Sequence, residues 1–141
     1  LRDPRDVVLS CFQQRFTINA AMVQFLELKR AGAYYDQVMS LFALCQARLD
    51  LDLHQVRYED LVADLEAVAR SVCSFLGADF ETEMLDYQRT ALKRDIATPS
   101  ARQVIEPLYN RSVGRWRRYE EELRPVLPVL ALWVERYGYA P

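Results

Sequence analysis

The sequence predicts a mainly α-helical chain, and three observations predict it. Apolar residues recur at helical spacing through most of the 141 residues. Capping signals bracket the periodic runs: Asp3 and Pro4 open the first, and Asp64 and Gly77 enclose a later one. Only one short stretch, His54 to Tyr58, alternates as a strand does. A lone strand is not stable without partners, so its sheet is expected outside this chain.

The elements follow in order. Asp3 can accept a free backbone N–H, and Pro4 suits the first helical position because it has no N–H to satisfy, so a helix starts at Pro4. Val7, Val8, Cys11 and Phe12 give it an apolar face, and Ser10 shares a face with Asp3 and Asp6. Asn19 to Lys29 reads as a second helix, closed near Gly32 by a left-handed cap. Tyr34 to Leu49 reads as a third, with Tyr35, Val38, Met39, Phe42 and Cys45 as a core stripe. After the strand, Asp64 caps a helix whose Leu65, Val68, Ala69, Val72, Phe75 and Leu76 face a core. Glu81 to Gln88 reads as a further helix. Lys93 to Gln103 lacks periodicity and reads as a loop of the kind that often carries function, followed by a short helix over Val104 to Tyr109. Arg118 to Tyr137 reads as a long helix that Pro125 and Pro128 start late or kink.

Composition narrows the function classes. The 18 Lys and Arg against 20 Asp and Glu give a net charge of -2, which argues against a general nucleic-acid or membrane-surface binder and makes any anion site a local one. No run approaches a membrane span in length, and no secretory leader pattern opens the sequence. Cys11, Cys45 and Cys73 are odd in number, far apart and set in apolar patterns, so they read as buried free thiols with no metal role. His54, the only histidine, reads as a satisfied strand-end residue, and Asp36, Glu59 and Asp60 show no acid or base partner. No repeat or composition shift marks a second domain.

Anion chemistry is concentrated in a few residues. Arg2, just before the first helix, offers a charged fork of paired donors, and Ser10 within it offers one oriented hydroxyl; converging, they could hold a phosphate. Each alone reads as an ordinary surface side chain. Tyr58 fits either a strand aromatic or a ring exposed at a strand end for stacking. Ser100 fits a turn after Pro99. Among Arg111, Arg115, Arg117 and Arg118, the last two read as partners of Glu120 to Glu122, in pairs of roughly 0.2–0.5 kcal/mol each. Arg115 beside Trp116 is the one able to meet a phosphate while its plane packs on the ring.

Four segments, in this order, resemble the sulfotransferase family, which transfers a sulfuryl group from 3′-phosphoadenosine 5′-phosphosulfate to an acceptor hydroxyl or amine. They are Arg2-Asp3-Pro4-Arg5-Asp6-Val7-Val8-Leu9-Ser10, Tyr58-Glu59-Asp60-Leu61, Thr98-Pro99-Ser100-Ala101-Arg102-Gln103-Val104-Ile105-Glu106-Pro107-Leu108-Tyr109 and Gly114-Arg115-Trp116. The resemblance covers essentially the whole chain and is closest to bacterial enzymes linked to tetratricopeptide repeats and to protein-tyrosine sulfotransferases. It implies that Arg2 and Ser10 bind the 3′-phosphate, that Tyr58 lies near adenine, that Ser100 approaches the 5′-phosphosulfate in a catalytic role, and that Arg115 reaches the nucleotide.

It further implies the C-terminal part, 1–141, of an α/β domain: a P-loop-like parallel sheet with flanking helices. The glycine-rich phosphosulfate loop and the catalytic base would belong to a missing N-terminal half, so this chain alone is expected to be inactive and to expose the apolar surface where absent strands pack, unless a homo-oligomer covers it. Two departures stand out: Gln14 takes the place of a second arginine, and Tyr109-Asn110-Arg111 replaces the usual Arg-Lys-Gly. The implied partners are a sulfate acceptor, protein tyrosine or another hydroxyl compound, with no metal, nucleic acid or membrane. The implied compartment is the cytoplasm, with the Golgi lumen as the eukaryotic alternative. The competing class is a noncatalytic helical interaction module, which forms no anion site.

Overall fold

The computed structural model describes residues 1–92 and 108–140. The described residues are helical, with seven α-helices joined by 3₁₀ turns and no strand among them. The helices are α1 (Pro4–Gln13), α2 (Leu28–Arg48), α3 (Tyr58–Ala63), α4 (Leu65–Leu76), α5 (Tyr87–Leu92), α6 (Glu120–Leu123) and α7 (Leu127–Arg136). The 3₁₀ turns cover Met22–Leu26, Thr82–Leu85 and Arg115–Tyr119. The chain divides into two compact units, Arg2–Asp52 with Arg111–Pro141, and Leu1 with Leu53–Asn110.

The first unit is built on α1, α2 and α7. Helix α1 begins as the sequence predicts, with Pro4 in its first turn and the Asp3 carboxylate accepting the Arg5 N–H at 2.9 Å. Its buried face is rotated from the expected one. Val8 and Leu9 enter the core beside buried Arg5 and Asp6, whereas Phe12 is exposed. Val8, Leu9, Ala31, Trp116, Leu123, Val126 and Leu130 form one cluster, in which burying each large aliphatic side chain contributes about 1.5–3 kcal/mol.

Gly32 does not end a helix. It lies inside α2 with ordinary helical backbone, and a Cβ there would stand 3.1 Å from Val126 Cβ and Cγ1, so its use is close approach and not a left-handed cap. One 21-residue helix therefore replaces the end of the predicted second helix and all of the third. The rest of the second is the turn at Met22–Leu26, capped by Asn19, whose Oδ1 accepts from the N–H groups of Ala21 and Met22. The predicted Arg118 to Tyr137 helix is instead a 3₁₀ turn, a single helical turn and α7, with Pro128 at the start of α7. Trp133 of α7 donates its indole N–H to Asp36 at 2.8 Å.

In the second unit, α4 has the predicted limits. Asp64 accepts the Ala67 N–H at 2.9 Å, and Gly77 closes the helix at φ 65°. Its apolar face is shallow: Cys73 is buried, but Phe75 and Leu76 are exposed. The predicted Glu81 to Gln88 helix is a 3₁₀ turn followed by α5. His54 to Tyr58 is not a strand, and Tyr58 is already the first residue of α3. Among the described residues the backbone rung of this stretch is to Leu1, which accepts the Tyr58 N–H at 2.8 Å and donates its own amine to the Val56 carbonyl, and one rung does not make a strand. Those two bonds are one rung of a parallel ladder. His54 stacks on Phe75 with ring centroids 5.2 Å apart, and its Nε2 lies 3.2 Å from Ser71 Oγ. The predicted loop from Lys93 to Gln103 and most of the short helix after it lie outside the described residues.

Candidate functional site

The site residues of the first unit lie where α1 runs beside the segment 112–119. Helical periodicity puts Asp6, Ser10 and Gln13 on one stripe of α1. The N-terminal end of that stripe, with Arg2 just before it, holds the neighbouring segment. Arg2 donates from Nη2 to the Ser112 carbonyl at 2.7 Å. Asp6 accepts from the Gly114 N–H through Oδ2 and from the Trp116 N–H through Oδ1, both at 2.7 Å. At the other end of the segment the Arg115 guanidinium carbon lies 5.8 Å from the centre of the Tyr119 ring. Ser10 is exposed between Asp6 and Gln13, and Arg115 is exposed at the start of the 3₁₀ turn. Gly114 reaches φ 63°, which turns the chain into that 3₁₀ segment and favours glycine there.

Electrostatics follows from this packing. Burial raises the Asp6 carboxyl above its ordinary value, opposed by the two amide donors and by the Arg2 charge, while the charge of Asp3 adds to the rise. Burial likewise pushes the Cys11 thiol up, against the pull of Arg2. Tyr119 moves the other way, because Arg115 and Gln13 stabilise its phenolate and Arg118 adds positive charge.

Behind α1 lies a second polar knot. Buried Arg5 pairs with Asp3 through Nε at 3.0 Å and Nη2 at 2.9 Å, donates to the Ala140 carbonyl at 2.6 Å, and places its guanidinium carbon 3.8 Å from the centre of the Trp116 ring. The cation on Trp116 is therefore Arg5, with Arg117 at 5.1 Å, and not the expected Arg115, which lies 5.8 Å from the Tyr119 ring instead. The buried indole N–H of Trp116 finds no acceptor among the described residues. The arginine that pairs with the glutamate run is Arg124, which meets Glu121.

Arg2, Ser10 and Arg115 thus share one unit, two of them exposed and Arg2 half-buried. Tyr58 belongs to the other unit, half-buried, with its hydroxyl donating to the Tyr109 carbonyl at 3.5 Å. Ser100 lies outside the described residues. Sequence reasoning placed Asp6 and Ser10 on one face but gave Asp6 no role, although a carboxylate one turn before a candidate phosphate-binding serine was the available signal. Gln13 and Tyr119 gave none, because their meeting depends on the fold. All three cysteines are free, with Cys73 buried and Cys11 and Cys45 half-buried. No cluster of three or more metal-binding side chains occurs among the described residues, and no described helix is long and apolar enough to cross a membrane.

Comparison with known proteins bears on the family of the chain. The chain is 29% identical over 130 residues to an uncharacterized protein of Aquifex aeolicus (strain VF5), an alignment covering 92% of this chain and 17% of that protein. The chain therefore spans about a sixth of its relative's length. No solved structure matches. The model of the "Sulfotransferase family" matches residues 1–82, more than half of the chain and including α1 and α3, and on that match the chain belongs to the sulfotransferase family.

Proposed function

We propose that this chain is the nucleotide-anchoring, C-terminal part of a sulfotransferase domain that moves a sulfuryl group from 3′-phosphoadenosine 5′-phosphosulfate to an acceptor hydroxyl. The tyrosine hydroxyl of a protein is the acceptor suggested by the resemblance of residues 98–109 to a segment of protein-tyrosine sulfotransferases. Arg2, Ser10 and Arg115 bind the 3′-phosphate, Tyr58 contacts adenine, and Ser100 meets the 5′-phosphosulfate. The observation that supports the reading is that α1, which carries Ser10 and follows Arg2, is bonded to the segment 112–119, which carries Arg115.

In the reaction, the acceptor oxygen forms a bond to sulfur as the sulfur–oxygen bond to the 5′-phosphate breaks. The acceptor proton passes to a base supplied by residues upstream of this chain, and the nucleotide leaves as the bisphosphate. Cationic and hydroxyl donors stabilise the charge that builds on the departing phosphate. Grip on the remote 3′-phosphate orients the reacting end, a use of binding energy far from the chemistry.

Titration calorimetry of the full-length protein with 3′-phosphoadenosine 5′-phosphate tests this. Ser10→Ala and Arg115→Ala, both at exposed positions, are expected to weaken binding about tenfold or more, with Arg115 the larger loss because a charged donor is removed. Wild-type affinity in both variants overturns the assignment. The second reading, a noncatalytic interaction module, is favoured by the exposed Leu41 and Leu44 of α2 and predicts no nucleotide binding at all.

A further inference from the structure

We infer that Asp6 is a positioning residue for the anion grip: its buried carboxylate caps the Arg115–Tyr119 turn from across the fold and thereby holds Arg115 in place. This deepens the sulfotransferase reading and rests on it.

The argument begins with Gly114. It stands at the N-terminal cap of the turn, where free N–H groups need an acceptor, but glycine has no side chain to supply one, and no local side chain caps the turn. Asp6, 108 residues earlier in the chain, supplies both acceptors, one oxygen to Gly114 N and the other to Trp116 N. Asp6 is 1% exposed, so water does not share these bonds. Arg115 sits between the two anchored amides. Its guanidinium carbon lies 5.8 Å from the centre of the Tyr119 ring at the far end of the turn. Helix α1 therefore fixes the Arg115 turn at its first residues through Asp6, and Ser10 follows one helical turn later on the same face of α1.

A carboxylate beside a phosphate site is otherwise a disadvantage. Coulomb attraction alone predicts that neutralising Asp6, which interacts with Arg2, tightens anion binding. Positioning predicts the reverse: an amide in its place can accept from one N–H only and turns an NH₂ group toward the other. The two accounts differ in sign, so one variant separates them.

Asp6→Asn in the full-length protein is read in two ways. The first is affinity for 3′-phosphoadenosine 5′-phosphate against adenosine 5′-phosphate. Positioning predicts about a tenfold loss for the former and less than a twofold change for the latter, because Arg115 serves the 3′-phosphate. Tighter binding of the bisphosphate, or equal losses for both nucleotides, overturns the inference. The second is the ultraviolet titration of Tyr119, assigned by difference against Tyr119→Phe, which needs no nucleotide. The downward shift of its phenol, of which Arg115 is the largest cause, should shrink in Asp6→Asn as Arg115 drifts away, and an unchanged Tyr119 titration overturns the inference whatever the nucleotides do. If the wild-type protein binds neither nucleotide, the sulfotransferase reading fails, and with it the role of the held arginine as an anion ligand. Should Asp6→Asn fail to fold, Asp6→Glu keeps the charge and displaces it by one methylene. Wild-type behaviour of Asp6→Glu in both measurements overturns positioning, and loss in both supports it.

Discussion

The Asp3–Arg5 pair shows how position decides what a charge contributes. Both side chains are almost fully buried, at 8% and 5% exposed, and Arg5 also holds the Ala140 carbonyl and the Trp116 face. Asp3→Asn keeps an acceptor for the cap but leaves a buried guanidinium without its countercharge, so a loss of about 3 kcal/mol is expected in urea unfolding. Removing Arg70 from its exposed pair with Glu66 should cost less than about 1 kcal/mol. Asp6 adds a pH signature. Its carboxyl is raised above 3.8 by burial, so between that value and its native pKa the folded state binds the proton more readily than the unfolded one. Its contribution is fully present below the unfolded pKa and is lost as pH rises through the native one. The stability of wild type relative to Asp6→Asn should therefore fall as pH is raised above 3.8 through the native pKa, and a rise there would contradict the burial argument. Cys11 should alkylate with a pH profile displaced above the ordinary thiol value of 9.0, as measured by iodoacetamide trapping.

At the scale of elements, Gly32 carries the sharpest prediction. Alanine gains about 1 kcal/mol in helix propensity over glycine, but the new Cβ meets Val126, which is 1% exposed and has little room to yield. Gly32→Ala is expected to lower stability by a net ~1–2 kcal/mol, and Val126→Ala in the same chain should reduce that penalty. Helix boundaries with local causes were legible in the sequence: Asp3 and Pro4, and Asp64 and Gly77, act on the backbone within four residues of themselves. Those set by packing were not. Gly32 looks like a terminator in sequence because its backbone freedom is visible there and its contact with Val126, 94 positions later, is not. The strand reading of His54 to Tyr58 expected its sheet elsewhere; the described residues supply one rung, to Leu1, where a strand needs several.

Across the whole molecule, α2 leaves apolar side chains in solvent: Val38, Leu41, Phe42 and Leu44 are all more than a third exposed. Residues 37–47 also contain no charged side chain to oppose contact. The expected outcome is concentration-dependent association with binding of a hydrophobic dye, both reduced by Leu41→Glu with Leu44→Glu; a monomer at high concentration that binds no dye would contradict it. The candidate site was legible to the extent that its chemistry is local. Arg2 and Ser10 could be read as an anion pair from one helix, but the partner segment became visible only when Ser112, Gly114, Trp116 and Tyr119 were seen lying along that helix. The ring beside Arg115 is Tyr119 and not the expected Trp116, since a sequence shows Trp116 next to it and not Tyr119 one turn on. Helix α2 has one more consequence, in time. It is roughly 32 Å long, with its first turns in the core and its later turns in solvent. Amide hydrogens near Ala31 and Gly32 should exchange with deuterium only through opening of the whole unit, and those after Ser40 should exchange orders of magnitude faster by local fraying, so that a single unbroken helix is read out as two clocks.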